Sequence, residues 1–143
     1  MQVKQIMTND PATCTRETTL QDAAKLMVDN DCGCLPVVES EGSGIPVGMI
    51  TDRDITTRIV AEGKNPLDLT VQDAMTPAAF TVTPETSIDE CCNLMEERQV
   101  RRIAVVDGTG GCCGMVSQAD IALNTGRQQT GEVVQEVSKT TTA

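Results

Sequence analysis

The sequence predicts an α/β (α+β) architecture of two β-α-β-β-α repeats, packed face to face with pseudo-twofold symmetry. Three observations predict it. The chain duplicates itself, each copy alternates a helical apolar period with short β-branched runs, and neither copy is large enough to bury both faces of its own sheet. Setting Met7-Thr8 on Met75-Thr76 gives an offset of 68 residues, at which Thr15, Glu17 and Thr18 meet Thr83, Glu85 and Thr86. Leu26-Met27 then falls on Leu94-Met95, and Val37-Val38 on Val105-Val106. After a loop two residues longer in the first copy, Gly48 to Thr51 meets Gly114 to Ser117, and Asp54-Ile55 meets Asp120-Ile121.

The elements follow in the same order in each copy. Thr13 to Thr15 and Phe80 to Val82 read as short opening strands. Leu20, Ala23, Ala24, Met27 and Val28 recur at helical spacing, as do Ile88, Cys91, Cys92 and Met95. Thr18 with Gln21, and Ser87 with Glu90, predict capping boxes at the starts of these helices. Leu35 to Val38 and Arg102 to Val106 suit buried strands. Turns at Glu39 to Gly44 and Asp107 to Gly111 lead into second strands, Pro46 to Ile50 and Cys112 to Val116, and a second helix begins at Thr51 or Ser117. The expected division is repeat 1 over 1–62, a linker over 63–70, repeat 2 over 71–125 and a polar tail over 126–143, the tail frayed or only partly helical.

Composition narrows the function. The 143 residues carry a formal net charge of -10, which repels nucleic-acid phosphates and anionic membranes, so neither is expected as a partner. Phe80 is the sole aromatic residue, which argues against base-stacking platforms. Histidine is absent, and with it the commonest general base and zinc ligand. There is also no Gly-rich phosphate loop and no nucleophile–base pair, so no enzyme and no catalytic residue is expected. The first residues do not read as a signal peptide, and no stretch has the length of a membrane span, so a cytoplasmic protein is expected.

Two segments bear binding chemistry. Thr51-Asp-Arg-Asp54 and Ser117-Gln-Ala-Asp120 each stand where a strand passes into a helix, whose first amides are unpaired and favour a phosphate. The hydroxyl can add a bond to a phosphate or ribose oxygen, and the carboxylate can accept from two vicinal ribose hydroxyls. Arg53, Arg101 and Arg102 supply charge for phosphate. The same Thr-x-x-Asp and Ser-x-x-Asp spacings are also ordinary helix caps, and the two roles are compatible. The arginines have a plainer reading as solvated surface charges, and Gly33 as a turn or a close packing point.

Thr-Leu-x-x-Ala-Ala-x-x-Met, Leu-Pro-Val-Val and Gly-Met-Ile-Thr-Asp-Arg-Asp-Ile resemble a CBS domain. Glu-Glu-Arg-Gln-Val-Arg-Arg-Ile-Ala-Val-Val with Gly-Met-Val-Ser-Gln-Ala-Asp-Ile resembles its tandem partner, and together they cover roughly residues 3 to 125. The layout is also similar to that of small stand-alone bacterial CBS-pair proteins of the hypoxic response type. The resemblance implies clefts for adenosyl compounds such as AMP, ADP, ATP, NAD or S-adenosylmethionine, and a homodimer forming a four-repeat disc. It implies one ligand set of Thr51, Arg53, Asp54, Thr86 and Arg101, and another of Ser117, Asp120, Arg102, Thr18, Gly33 and Cys34. Small residues at Gly33-Cys34 would let adenine lie against the backbone. The second copy departs from the pattern with Ala104 in place of proline, and with Gln118-Ala119 where the first has Asp52-Arg53, so unequal clefts are expected. The acidic chain disfavours a triphosphate, which makes AMP or ADP the expected effector, with no obligatory cofactor and an unidentified effector protein acted on in trans.

The seven cysteines leave alternatives open. Cys91 and Cys92 take the places of Ala23 and Ala24 on an apolar helix face and read as core, whereas Cys112 and Cys113 flank an exposed turn. Neither Cys-x-x-Cys pairs nor Cys/His sets are present, so no metal site is expected. Cys14 could reach the Cys32/Cys34 strand for a disulfide, but spacing does not fix that geometry. Beside the ligand sensor stand two rivals: a structural or interaction dimer with non-binding clefts, and a cysteine-based redox or metal sensor.

Overall fold

The structure is a computed structural model that describes residues 1–77 and 80–139. It contains two four-stranded sheets with helices against them, the mixed architecture that the repeat pattern predicts. Two compact units emerge, each discontinuous in sequence. The first-copy unit comprises Pro11–Ala79 and Gly108–Cys112; the second-copy unit comprises Met1–Asp10, Phe80–Asp107 and Cys113–Ala143.

In the first-copy unit, β2 (Cys14–Thr15) pairs in parallel with β3 (Cys34–Val38). Between them runs α1 (Leu20–Asp29), whose N-cap is Thr19: its hydroxyl accepts from Asp22 N at 3.1 Å. The box expected between Thr18 and Gln21 does not form: the cap lies one residue later and is a single bond to the Thr19 hydroxyl. The Thr18 hydroxyl is taken by Thr15 N at 3.0 Å, in a turn that sets the entry to the helix. β3 is buried along its whole length and pairs antiparallel with β4 (Pro46–Thr51), which leads into α2 (Asp52–Asp54) and a π-helical stretch over Ile55–Val60. The edge strand β5 (Thr76–Pro77) completes the order β2-β3-β4-β5.

The second-copy unit repeats this plan. It has β6 (Thr81–Val82), α3 (Ile88–Arg98) capped by Ser87, β7 (Arg102–Val106), β8 (Cys112–Ser117) and α4 (Gln118–Asn124). Its edge strand is β1 (Thr8–Asn9), giving the order β1-β8-β7-β6. The Met-Thr segment that opens each copy thus pairs with the closing strand of the other. The residues ahead of it dock in the same way: Val3 N donates to Thr86 O at 2.9 Å, and Val71 N to Thr18 O at 2.8 Å. Both valines are fully buried.

Gly48 and Gly114 admit these edge strands. A Cβ on Gly48 would meet Met75 Cε and Thr76 O, and one on Gly114 would stand 2.6 Å from Met7 Sδ. Each unit has its own apolar cluster, one around Leu20, Leu35, Val37, Ile50 and Ile59, the other around Ile88, Met95, Ile103, Val105 and Ile121.

The polar tail is helical over part of its length. Arg127–Val137 forms a helix, α5, with Val133 and Val137 buried in the second cluster. Two valines one turn apart suffice to seat an otherwise hydrophilic helix, because packing rather than propensity stabilises it.

Gly48→Ala is expected to destabilise the fold by about 1–3 kcal/mol through overpacking against the edge strand, read as a lower urea midpoint. Gly42→Ala, where the added Cβ meets nothing within 4 Å, is expected to leave the midpoint nearly unchanged.

Candidate functional site

The two segments singled out for binding form the same interlocked device. Thr51 ends β4 in extended conformation; its hydroxyl accepts from Asp54 N at 3.1 Å while Asp54 Oδ2 accepts from Thr51 N at 3.0 Å. In the second copy, Ser117 Oγ accepts from Asp120 N at 3.2 Å. Asp120 Oδ2 accepts from Ser117 N at 2.8 Å and from its hydroxyl at 3.0 Å. The cap is therefore made in both copies. In each, one carboxylate oxygen carries the box, and Oδ1 lies outside it.

Around Asp54 the arrangement is more specific than the spacing suggests. Its Oδ1 lies 3.8 Å from Nε of Arg58, whose Nη1 also donates to the carbonyls of Ala74 and Met75 at 3.3 and 3.0 Å. Arg58, which the sequence reading did not single out, holds Asp54 from one turn further along the helix. Arg53 is exposed, with its backbone N donating to Asp52 Oδ1 at 2.8 Å. Gly33 O accepts from Asp52 N at 2.9 Å, and a Cβ on Gly33 would stand 2.7 Å from Asp52 Oδ2. The glycine leaves room for the Asp52 carboxylate beside it. Cys34 is opposite Thr51 in the β3–β4 register. Gly33, Cys34, Thr51, Arg53 and Asp54 thus share one end of the first-copy sheet.

The second-copy unit brings together the counterparts. Gln118 N donates to Arg101 O at 2.9 Å, which sets Arg101 and Arg102 beside Ser117 and Asp120. Among the described residues, Arg53, Arg101 and Arg102 are in no ion pair, and all three are exposed. Gln118 Oε1 is buried without a hydrogen-bond partner among them. Thr18 and Thr86 lie in the turns before α1 and α3, where they accept from Thr15 N and Thr83 N, both at 3.0 Å. Their carbonyls are the ones taken by Val71 and Val3.

None of the seven cysteines is joined in a disulfide. Burial, then the neighbouring Cys34, pushes Cys14 up to about 12; burial, then Cys92, does the same for Cys91. Cys92 rises to about 11 through burial and the nearby Glu96 and Asp89, and Cys113 is raised mainly by burial. These four are protonated at neutral pH and poor nucleophiles. Among the described residues no group of three His, Cys, Asp or Glu side chains could hold a metal ion, and no helix is long and apolar enough to cross a membrane.

A duplicated sheet-and-helix unit, with a hydroxyl–carboxylate box at the same strand-to-helix step in both copies, defines a tandem repeat module. The CBS domain family model matches residues 3–61 and 71–124, and the chain belongs to the CBS-domain family as a tandem pair. It is 36% identical over 122 residues to the CBS domain-containing protein YhcV of Bacillus subtilis, spanning 85% of this chain and 84% of that one. Hypoxic response protein 1 of Mycobacterium tuberculosis is 37% identical over 115 residues, 80% of this chain and 78% of its own length. A crystal structure of Hypoxic Response Protein I with two coordinated zinc ions superposes with a TM-score of 0.76 at 32% identity, covering 88% of this chain and all of that one. The CBS domain pair of protein MJ0100, solved with 5'-methylthioadenosine and S-adenosyl-L-methionine, gives 0.76 at 28% identity, covering 86% and 98%.

The buried thiols make stability fall in alkali. Their folded pKa values lie above the ordinary 9.0, so their contribution is complete below pH 9 and lost as pH rises towards about 12. A urea midpoint that is flat from pH 7 to 9 and falls above it is the expected result. Cys14→Ala with Cys91→Ala is expected to flatten the fall.

Proposed function

We propose that this chain is a regulatory module that binds an adenosine-containing ligand, AMP or ADP in first place, and has no catalysis of its own. Occupancy is passed to a partner protein or into the oligomeric state, in the cytoplasm. The observation that supports this most is the recurrence, in both units, of a hydroxyl–carboxylate box beside exposed arginines that no described carboxylate neutralises. A CBS pair of similar fold was solved with two adenosine derivatives, which fits the same ligand class.

In this reading Asp54 and Asp120 accept from ribose hydroxyls through the carboxylate oxygen outside the box. Thr51 and Ser117 turn their hydroxyls to a ribose or phosphate oxygen, and Arg53, Arg101 and Arg102 meet phosphate. Gly33 and Cys34 offer backbone groups to the base, and Thr18 and Thr86 complete the set. The first-copy box has Arg53 within it and the second has Ala119 at that place, so the ligand with more phosphate belongs with the first. A net charge of -10 weakens binding of each further phosphate. Association into a homodimer is the assembly that the family resemblance implies.

A second reading is an interaction dimer whose clefts do not bind. It is favoured by the caps themselves, since Thr51 and Ser117 already have every bond that a helix start requires of them.

A thermal-shift panel of AMP, ADP, ATP, NAD and S-adenosylmethionine separates the two. A ligand at a hundred times its Kd is expected to add about 2.7 kcal/mol, or roughly 5–10 °C in a domain of this size. Asp54→Ala and Asp120→Ala each remove a box and cost about 1 kcal/mol of ligand-free stability, so each variant is read against its own ligand-free Tm. Loss of the ligand-induced rise in one variant assigns the working box. No rise with any nucleotide at millimolar concentration leaves the interaction dimer.

A further inference from the structure

In the second-copy unit α5 lies along α3 and against α4. Gln129 Nε2 donates to Asp89 Oδ1 at 2.8 Å near one end, and Gln99 Nε2 to Lys139 O at 3.3 Å at the other. The Gln129 side chain also hydrogen-bonds to the Cys92 thiol. On its own α5 is a weak helix. It has 11 residues, its N-cap Gly126 supplies no side-chain bond, and Gly131 stands in its interior. Arg127 at its positive end and Glu136 at its negative end both oppose the helix dipole. Val133 and Val137 are its buried residues, so packing on its seat is what keeps it helical. The short helix α4 leans on it in turn. Of the seven residues of α4 only Ile121 is buried, in one cluster with Val133 and Val137. At the C-cap the Thr125 hydroxyl donates to Ile121 O at 2.8 Å, and so accepts from the Thr130 hydroxyl at 3.1 Å. The first turn of this same α4 carries the Ser117–Asp120 box.

We propose that α5 is a displaceable strap coupled to the second-copy box. Docked, it holds α4 and with it the box; released, it frees α4 and uncovers the Cys92 thiol. The duplication identifies which thiol the strap gates. Cys91 and Cys92 stand at the repeat positions of Ala23 and Ala24, in a unit that α5 does not join. There Ala23 is 0% exposed but Ala24 is exposed. The fold of a repeat therefore encloses the position of Cys91 unaided, whereas Cys92 is sealed because α5 lies over it. The helix after the box shows the same contrast, since Ile55 is half-buried and Ile121 fully buried. A ligand that needs an ordered Ser117–Asp120 box binds the docked state and opposes release, and by reciprocity release weakens that ligand. This regulatory step rests on the nucleotide reading given above; the strap itself does not.

The test follows labelling of the full chain by N-ethylmaleimide, with each thiol's rate resolved by tandem mass spectrometry. Cys92 is expected to react about tenfold faster than Cys91 or more, because release of α5 opens the first while the second waits for global unfolding. Gly131→Ala, whose added Cβ meets nothing within 4 Å, is expected to slow Cys92 about fivefold by strengthening the helix. Val133→Asp is expected to speed Cys92 about tenfold while Cys91 stays protected. Equal rates at the two thiols, or a Cys92 rate that ignores both substitutions, overturns the strap. The ligand arm uses a nucleotide whose Tm rise is lost in Asp120→Ala. At about ten times its Kd it is expected to slow Cys92 labelling about tenfold. An unchanged rate with that nucleotide overturns the coupling and leaves nucleotide binding standing. A panel in which no nucleotide raises the Tm sinks the nucleotide reading instead, and the rates of Cys92 and Cys91 still decide the strap.

Discussion

The structure depends on one steric constraint: the closing strand of each copy must accept a foreign edge strand at a glycine. Gly48 and Gly114 are where the Met-Thr segments lie against β4 and β8; a Cβ at Gly48 would collide with the backbone of its edge strand, and one at Gly114 would press on the Met7 side chain. Because those segments precede the copies to which sequence order assigns them, neither sheet is complete on its own stretch of chain. The exchange also fixes Val3 and Val71 as buried plugs, and uses the carbonyls of Thr86 and Thr18 as their anchors. These long-range hydrogen bonds link strand order, turn geometry and core filling, so a Cβ at Gly48 is felt in all three.

Much of this architecture is legible in the sequence, for physical reasons that also explain what is not. The apolar period of Leu20, Ala23 and Met27 reports a helix because the same residues are buried, and β3 is legible because every one of its residues is enclosed. A period says which face is buried but not against what, so the exchange of edge strands escapes it. The Gly-Met match at 48–49 and 114–115 was the available signal, since a glycine in a strand marks close approach of another backbone. The cap of α1 was read one residue early because Thr18 and Thr19 are both plausible caps. Only the turn with Thr15 shows which hydroxyl is already engaged. Helix α5 was underestimated because two buried valines in eleven residues barely register against their polar neighbours.

The site was legible to a different degree. Thr51, Asp54, Ser117 and Asp120 were found because box and ligand chemistry ask for the same residue types at the same spacing. The capping half of that ambiguity is what the hydrogen bonds display. Arg58 was missed because its role depends on a helical turn bringing it back to Asp54 and on two carbonyls at the end of a distant segment. Asp52 was missed because it matters through Gly33, nineteen positions earlier, and contact of that kind leaves no local trace.

Duplication followed by divergence accounts for the asymmetry that runs through the molecule. Position for position, the first copy has Gly33, Asp52, Arg53 and Asp31 where the second has Arg101, Gln118, Ala119 and Gln99. In the second copy these substitutions accompany a helix that seals the neighbouring surface; in the first the acidic residues stay open to solvent. The backbone device at the helix start has meanwhile been kept in both, down to the reciprocal bonds of the box. A fold that needs only the cap to begin its second helix leaves the flanking positions free to vary. One copy can therefore specialise in charge and the other in closure without either losing its sheet.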